Sequence, residues 1–111
     1  MKLLILVLNN VSKLDNLMVE LANQGVKGAT IINSTGMAHS LYNHQESKLM
    51  NSLKALLDPD LPDNKTIFTV VDDEQEAIFV KVVEEVIGDL SKPNTGIMFT
   101  LPISDVKGLS K

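Results

Sequence analysis

Twice in this chain an apolar run, an amphipathic stretch and a second apolar run follow one another, over Lys2–Asn33 and over Thr66–Leu101. Leu3–Leu8 is too short and too continuously apolar for a surface helix and reads as a buried strand. Leu14, Leu17, Met18, Leu21 and Ala22 then recur at helical spacing, and Gly25 supplies a residue able to end the helix. Ser12 with Asp15 predicts a capping box at its start. Ala29–Ile32 closes the first unit as a strand. The second unit repeats the order. Ile67–Val71 is a strand, Asp72 the expected N-cap, and Phe79, Val82, Val83, Val86 and Ile87 the helical stripe. Gly88 and Pro93 end that helix, and Ile97–Leu101 is the last strand, stopped by Pro102.

The order βαβ–βαβ predicts an α+β, ferredoxin-like sandwich: a four-stranded antiparallel sheet with both helices on one face. At 111 residues the chain forms one domain, 1–111, with residues 34–65 as a long insert. A sheet with one wet face should alternate apolar and polar residues, and neither the first strand nor the last does so cleanly. The second face therefore needs cover, either from self-association or from the insert folding across it. Within the insert, Leu49, Met50, Leu53, Leu56 and Leu57 predict a short helix over Glu46–Leu57. Asp58–Asn64 reads as an acidic turn. That helix either packs on the body of the protein or is a mobile element that docks on a partner or closes over a ligand.

Composition removes several chemistries. All ten basic residues are lysines, so guanidinium clamps on phosphate or carboxylate are unavailable. A net charge of −4 excludes a nucleic-acid groove. With no cysteine there are no disulfides or thiolate ligands. Lys2 and the run after it imitate a signal peptide. The run stops at Asn9-Asn10, too short for a signal core or a membrane span, so the expected location is cytoplasmic, without membrane insertion.

No catalytic constellation emerges: there is no nucleophile elbow, Walker loop or dinucleotide fingerprint. His39 and His44 are five positions apart, off any common helix face, and no metal site is assigned. Asp72, Asp73, Glu74 and Glu76 read as a helix N-terminus with a solvated face. A protein handling divalent metals through loop histidines and carboxylates stands as the alternative function.

Over nearly its whole length the chain resembles the P-II signalling family. Lys13-Leu14-Asp15 and Leu21–Val26 are similar to that family's first helix and glycine stop. Gly28-Ala29-Thr30 through Thr35-Gly36-Met37-Ala38 is similar to the strand entering its T-loop. Phe68–Asp73 resembles the third strand and the entry to the second helix. Gly88–Asn94 falls at the B-loop, and Gly96–Ile103 is similar to the closing strand. The resemblance implies a homotrimer with ligand sites between subunits, and a 34–65 loop that signals to a protein partner. It implies a small-molecule effector, adenine nucleotides in the family, at residues matching Thr30, Thr35, Gly36, Met37, Ala38, Gly96 and Ile97. The chain departs from the pattern where phosphates would be held. Ile97 stands where a basic residue follows the glycine, the C-terminal arginines are absent, and Ala38 and His39 replace a glycine and a basic residue. The expected ligand is therefore a small molecule other than ATP.

Overall fold

The structure, a computed structural model, describes residues 1–43 and 63–109. Its elements in chain order are β1 (Lys2–Leu8), α1 (Leu14–Asn23), β2 (Thr30–Asn33), α2 (Met37–Asn43), β3 (Lys65–Val71), α3 (Asp73–Val86) and β4 (Gly96–Pro102). The strands form one sheet in the order β2-β3-β1-β4, with every neighbouring pair antiparallel. This is the ferredoxin-like βαββαβ arrangement, with the insert between β2 and β3. The predicted helix over Glu46–Leu57 and most of the acidic turn lie outside the described residues.

Side chains alternate across a strand, and this divides β1 and β3 cleanly. Leu4, Leu6 and Leu8 of β1 and Ile67 and Val71 of β3 are buried beneath the helices. They pack with Leu17 and Leu21 of α1 and with Phe79, Val82 and Val83 of α3 into one core. Thr69 is the buried polar member of that face, and its hydroxyl donates to the Gly28 carbonyl at 3.2 Å. That bond offsets the cost of removing the hydroxyl from water.

The helix boundaries have local causes. Asp72 caps α3 by accepting from Gln75 N at 2.8 Å, while the Gln75 side chain accepts from Asp72 N at 3.0 Å, a reciprocal capping box. The box predicted for α1 is overturned. The chain enters α1 through a 3-10 turn at Val11–Lys13, Lys13 becomes the N-cap, and no side chain caps it. The Ser12 hydroxyl is used instead on Asn10 Oδ1, at 2.8 Å. The short helix α2 was not expected, because Ser34–Ser40, which runs into it, reads as a small, polar stretch after a strand. Ser40 N donates to the Gly36 carbonyl at 3.0 Å and closes its first turn.

Candidate functional site

The face of the sheet away from the helices is largely apolar, interrupted by Thr30 and Thr66 on its β2–β3 side. Paired residues share a face, so the register gives its rows directly. Leu101, Leu3 and Val70 form one row; Phe99, Ile5, Phe68 and Thr30 the next; Ile97, Val7, Thr66 and Ile32 the third. The central residues Leu3, Ile5, Val7, Phe68 and Val70 are half-buried by their neighbours alone. Towards the edges Ile97 is 59% exposed, Leu101 47%, Ile32 46% and Phe99 42%. The apolar second face inferred from β1 and β4 is thus real, and no described element covers it.

The third row lies at the end of the sheet where the insert departs. There the antiparallel pairing of β2 with β3 brings residues 33–36 against residues 63–66. Ser34 N donates to the Asn64 carbonyl at 3.2 Å. With the Asn64 amide oriented to donate, its nitrogen reaches the Ser34 hydroxyl and the Ser34 carbonyl, the latter at 2.9 Å. The Ser34 hydroxyl then donates to Thr66 Oγ1 at 2.8 Å. The Lys65 ammonium donates to the Asn33 side chain. Asp63 accepts from Gly36 N at 3.2 Å and from Asn64 N at 3.0 Å. Its carboxyl lies below the usual carboxylate range, chiefly through the influence of the Thr35 hydroxyl. The two backbone donors and nearby His39 act in the same direction, against some opposing desolvation.

The other flank is the loop between α3 and β4. Asp89 accepts from Ser91 N at 2.9 Å and from Ser91 Oγ at 2.7 Å, which holds its carboxyl below the usual range. The Thr95 hydroxyl closes the loop onto the carbonyls of Leu90, at 3.1 Å, and Lys92, at 2.7 Å. Its carbonyl in turn receives Asn9 N at 3.0 Å. Gly96 then begins β4 at φ +157°, where a Cβ would lie 2.7 Å from the Val7 carbonyl oxygen. Glycine is required by that approach. Beneath this loop, on the helix side, lies a cleft of about 490 Å³ lined by Val83, Glu84, Asp89, Leu90, Ser91 and Met98.

Thr30 and Ile97 both fall on the open face, Ile97 at the insert end and Thr30 one row further along β2. Thr35 follows β2, Gly36 immediately precedes α2, and Met37 and Ala38 form its first turn, with Met37 77% exposed. Gly96 pairs with Leu8, Leu8 with Lys65 and Lys65 with Asn33. Gly96 and the β2 end therefore share one end of the sheet but stand three strand spacings apart, roughly 14 Å. Within a single chain they do not line one cleft.

Sequence reasoning missed Ser34, Asp63, Asn64, Lys65 and Thr66. The signal was available in one form: if β2 and β3 pair as a hairpin, residues just after β2 must meet those just before β3. Among the described residues Lys65 is the cation on the β2–β3 side of this end of the sheet. Lys2 is at the opposite end, opposite Val71, its ammonium 2.9 Å from Glu76 Oε2 and 3.5 Å from Asp73. Among the described residues no group of three or more histidines and carboxylates could hold a metal ion, and His44 and Glu46 lie outside them. Among the described residues no helix is long and apolar enough to cross a membrane.

Together these residues give an apolar floor carrying Phe68 and Phe99, a rim of hydroxyls and amides at the insert end, and the Asp63 carboxylate held by backbone donors. The model of the family described as nitrogen regulatory protein P-II matches residues 1–111. A comparison with curated protein sequences finds no match.

Proposed function

The chain belongs to the nitrogen regulatory protein P-II family, whose signalling proteins are non-enzymatic regulators, and from that premise we propose that it works as a homotrimer sensing a small molecule between subunits. The observation that carries this reading is the uncovered apolar face. Burying a whole aliphatic or aromatic side chain is worth about 1.5–3 kcal/mol, and Ile32, Ile97, Phe99 and Leu101 each leave near half of that unrealised in the lone chain. Packing these faces around a three-fold axis removes them from water. It also brings the Gly96–Ile97 flank of one protomer towards the Thr35–Ala38 flank of another, which a lone sheet keeps roughly 14 Å apart.

In this reading the intersubunit cleft is lined by Thr30, Thr35, Gly36, Met37, Ala38, Gly96 and Ile97. The 34–65 segment carries the signal to a protein partner in the cytoplasm. One domain, 1–111, supplies both scaffold and loop. The ligand is a small molecule held without the usual phosphate clamps of ATP. Charge-assisted hydrogen bonds are about twice as strong as neutral ones. Here arginine is absent from the chain, Ile97 supplies no charge, and Lys65 is engaged by Asn33.

Light scattering at micromolar concentration, followed by calorimetry with ATP–Mg²⁺, adenosine and divalent metal ions, tests the reading. The expected result is a trimeric mass, with ATP–Mg²⁺ bound no more tightly than adenosine. A monomer would remove both trimer and cleft. Tight, Mg²⁺-dependent ATP binding would refute the missing clamp, and tight metal binding would favour metal handling.

A further inference from the structure

We propose that Asp63 is the positioning residue of the candidate site, an internal carboxylate that occupies the site's own donors and thereby ties the start of the insert to its end. The inference rests on the reading that Thr35 and Gly36 belong to the ligand site, but it needs neither the trimer nor a known ligand. Two backbone donors converge on this one side chain, Gly36 N at 3.2 Å and Asn64 N at 3.0 Å, and the Thr35 hydroxyl acts on its carboxyl in the same direction. Gly36 belongs to the assigned site and lies 27 positions away along the chain. The Asn64–Ser34–Thr66 relay beside them carries no charge, so Asp63 is the carboxylate of the insert's base, with the Lys65 ammonium held separately on Asn33.

Two consequences follow from the geometry. A ligand that hydrogen-bonds the Gly36 N–H or the Thr35 hydroxyl must take that donor from Asp63. Taking it removes the contact that joins residues 35–36 to residue 63. Gly36 N is shared with the Asn64 side-chain oxygen at 3.3 Å, and Ser34 is bonded to Asn64 as well, so Asp63 is the charged member of the set of contacts that couples occupancy of the site to the geometry of the insert's base. An anionic group approaching the same donors also meets a carboxylate already in place, an exclusion separate from the lack of arginine. Gly36 additionally carries the first hydrogen bond of α2, from Ser40, so the coupling extends into that helix.

The test is residue-resolved amide hydrogen exchange on the full chain without ligand, comparing the wild type with Asp63→Ala and Thr35→Val. Asp63→Ala is expected to accelerate exchange at Gly36 and Ser40 by tenfold or more, with Leu6, Ile67 and Val71 unchanged. Thr35→Val should move the same amides less. An exposed-carboxylate control, Asp105→Ala, should move none of them. Unchanged exchange at Gly36 and Ser40 in Asp63→Ala would overturn the proposal. Equal acceleration in the core strands would overturn it too, because it would reveal a general contribution to stability. Light scattering on the same samples keeps the outcomes separable: a monomeric protein with local acceleration at Gly36 would sink the trimer and leave the role of Asp63 standing.

Discussion

The two faces of the sheet are built from the same kinds of residue and have opposite fates. On one, Leu4, Leu6, Leu8, Ile67 and Val71 are closed off by α1 and α3. On the other, Ile5, Phe68, Phe99 and Ile97 have comparable apolar bulk and no covering layer among the described residues. The difference shows that a hydrophobic strand reports a demand for burial but not what meets it. The covered face has an intramolecular answer, two helices whose apolar stripes match it. The open face has the composition of an interface core.

The sharpest way to break this comparison is to truncate one aromatic on each side. Phe79→Ala, within the core, should cost about 3–5 kcal/mol in a denaturant titration. Phe99→Asp, on the open face, should barely change the stability of a dissociated protomer and should move the mass by light scattering from trimer to monomer. Equal unfolding costs with an unchanged mass would mean that the two faces are not distinct. Gly96→Ala comes next in size. Its Cβ would meet the Val7 carbonyl oxygen at 2.7 Å, between the edge strand and β1, and a loss of roughly 1–3 kcal/mol in thermal unfolding is expected. A neutral result would show that β4 shifts freely against β1 and that the open face is less rigid than its register implies.

On the covered side, Asp72→Ala removes the acceptor for Gln75 N and should cost about 1 kcal/mol. The helix layer would loosen at that end, without any change in assembly. The smallest effect concerns acid. Donors at the insert's base lower the Asp63 carboxyl from 3.8, so its contribution is complete above that ordinary value and is lost as pH falls through the lower, folded value. Amide signals of Gly36 and Asn64 should therefore hold steady from neutral pH to about 4 and shift together below it. Shifts centred above that range would mean that the carboxylate is not held by these donors.

Much of the fold was legible because its signals are local. Period-two and period-3.6 patterns need only neighbouring residues, and Asp72 with Gln75 caps a helix from three positions away. The α1 capping box failed for a local reason as well. Ser12 had a nearer partner in Asn10, and a 3-10 turn let the helix begin without a side-chain cap. The candidate site was legible only in outline. Thr35, Gly36, Gly96 and Ile97 stand out through family resemblance, whereas Asp63, Asn64 and Lys65 looked like turn residues.

By itself, the sequence determined the order of the four strands and the two main helices, the excess of apolar surface over what those helices can cover, and the absence of guanidinium groups. These follow from residue type and near spacing. Only the tertiary structure decided that Asn33 meets Lys65, that Asp63 takes the donors of Thr35 and Gly36, and that Gly96 stands at the same end of the sheet on its opposite edge. The physical reason is that strand register is a non-local quantity. It is selected by the whole buried face at once, since a slip of one residue would turn Leu4, Leu6 and Leu8 out of the core and Leu3, Ile5 and Val7 into it. Once that register holds, the polar contacts at the base of the insert are consequences of it.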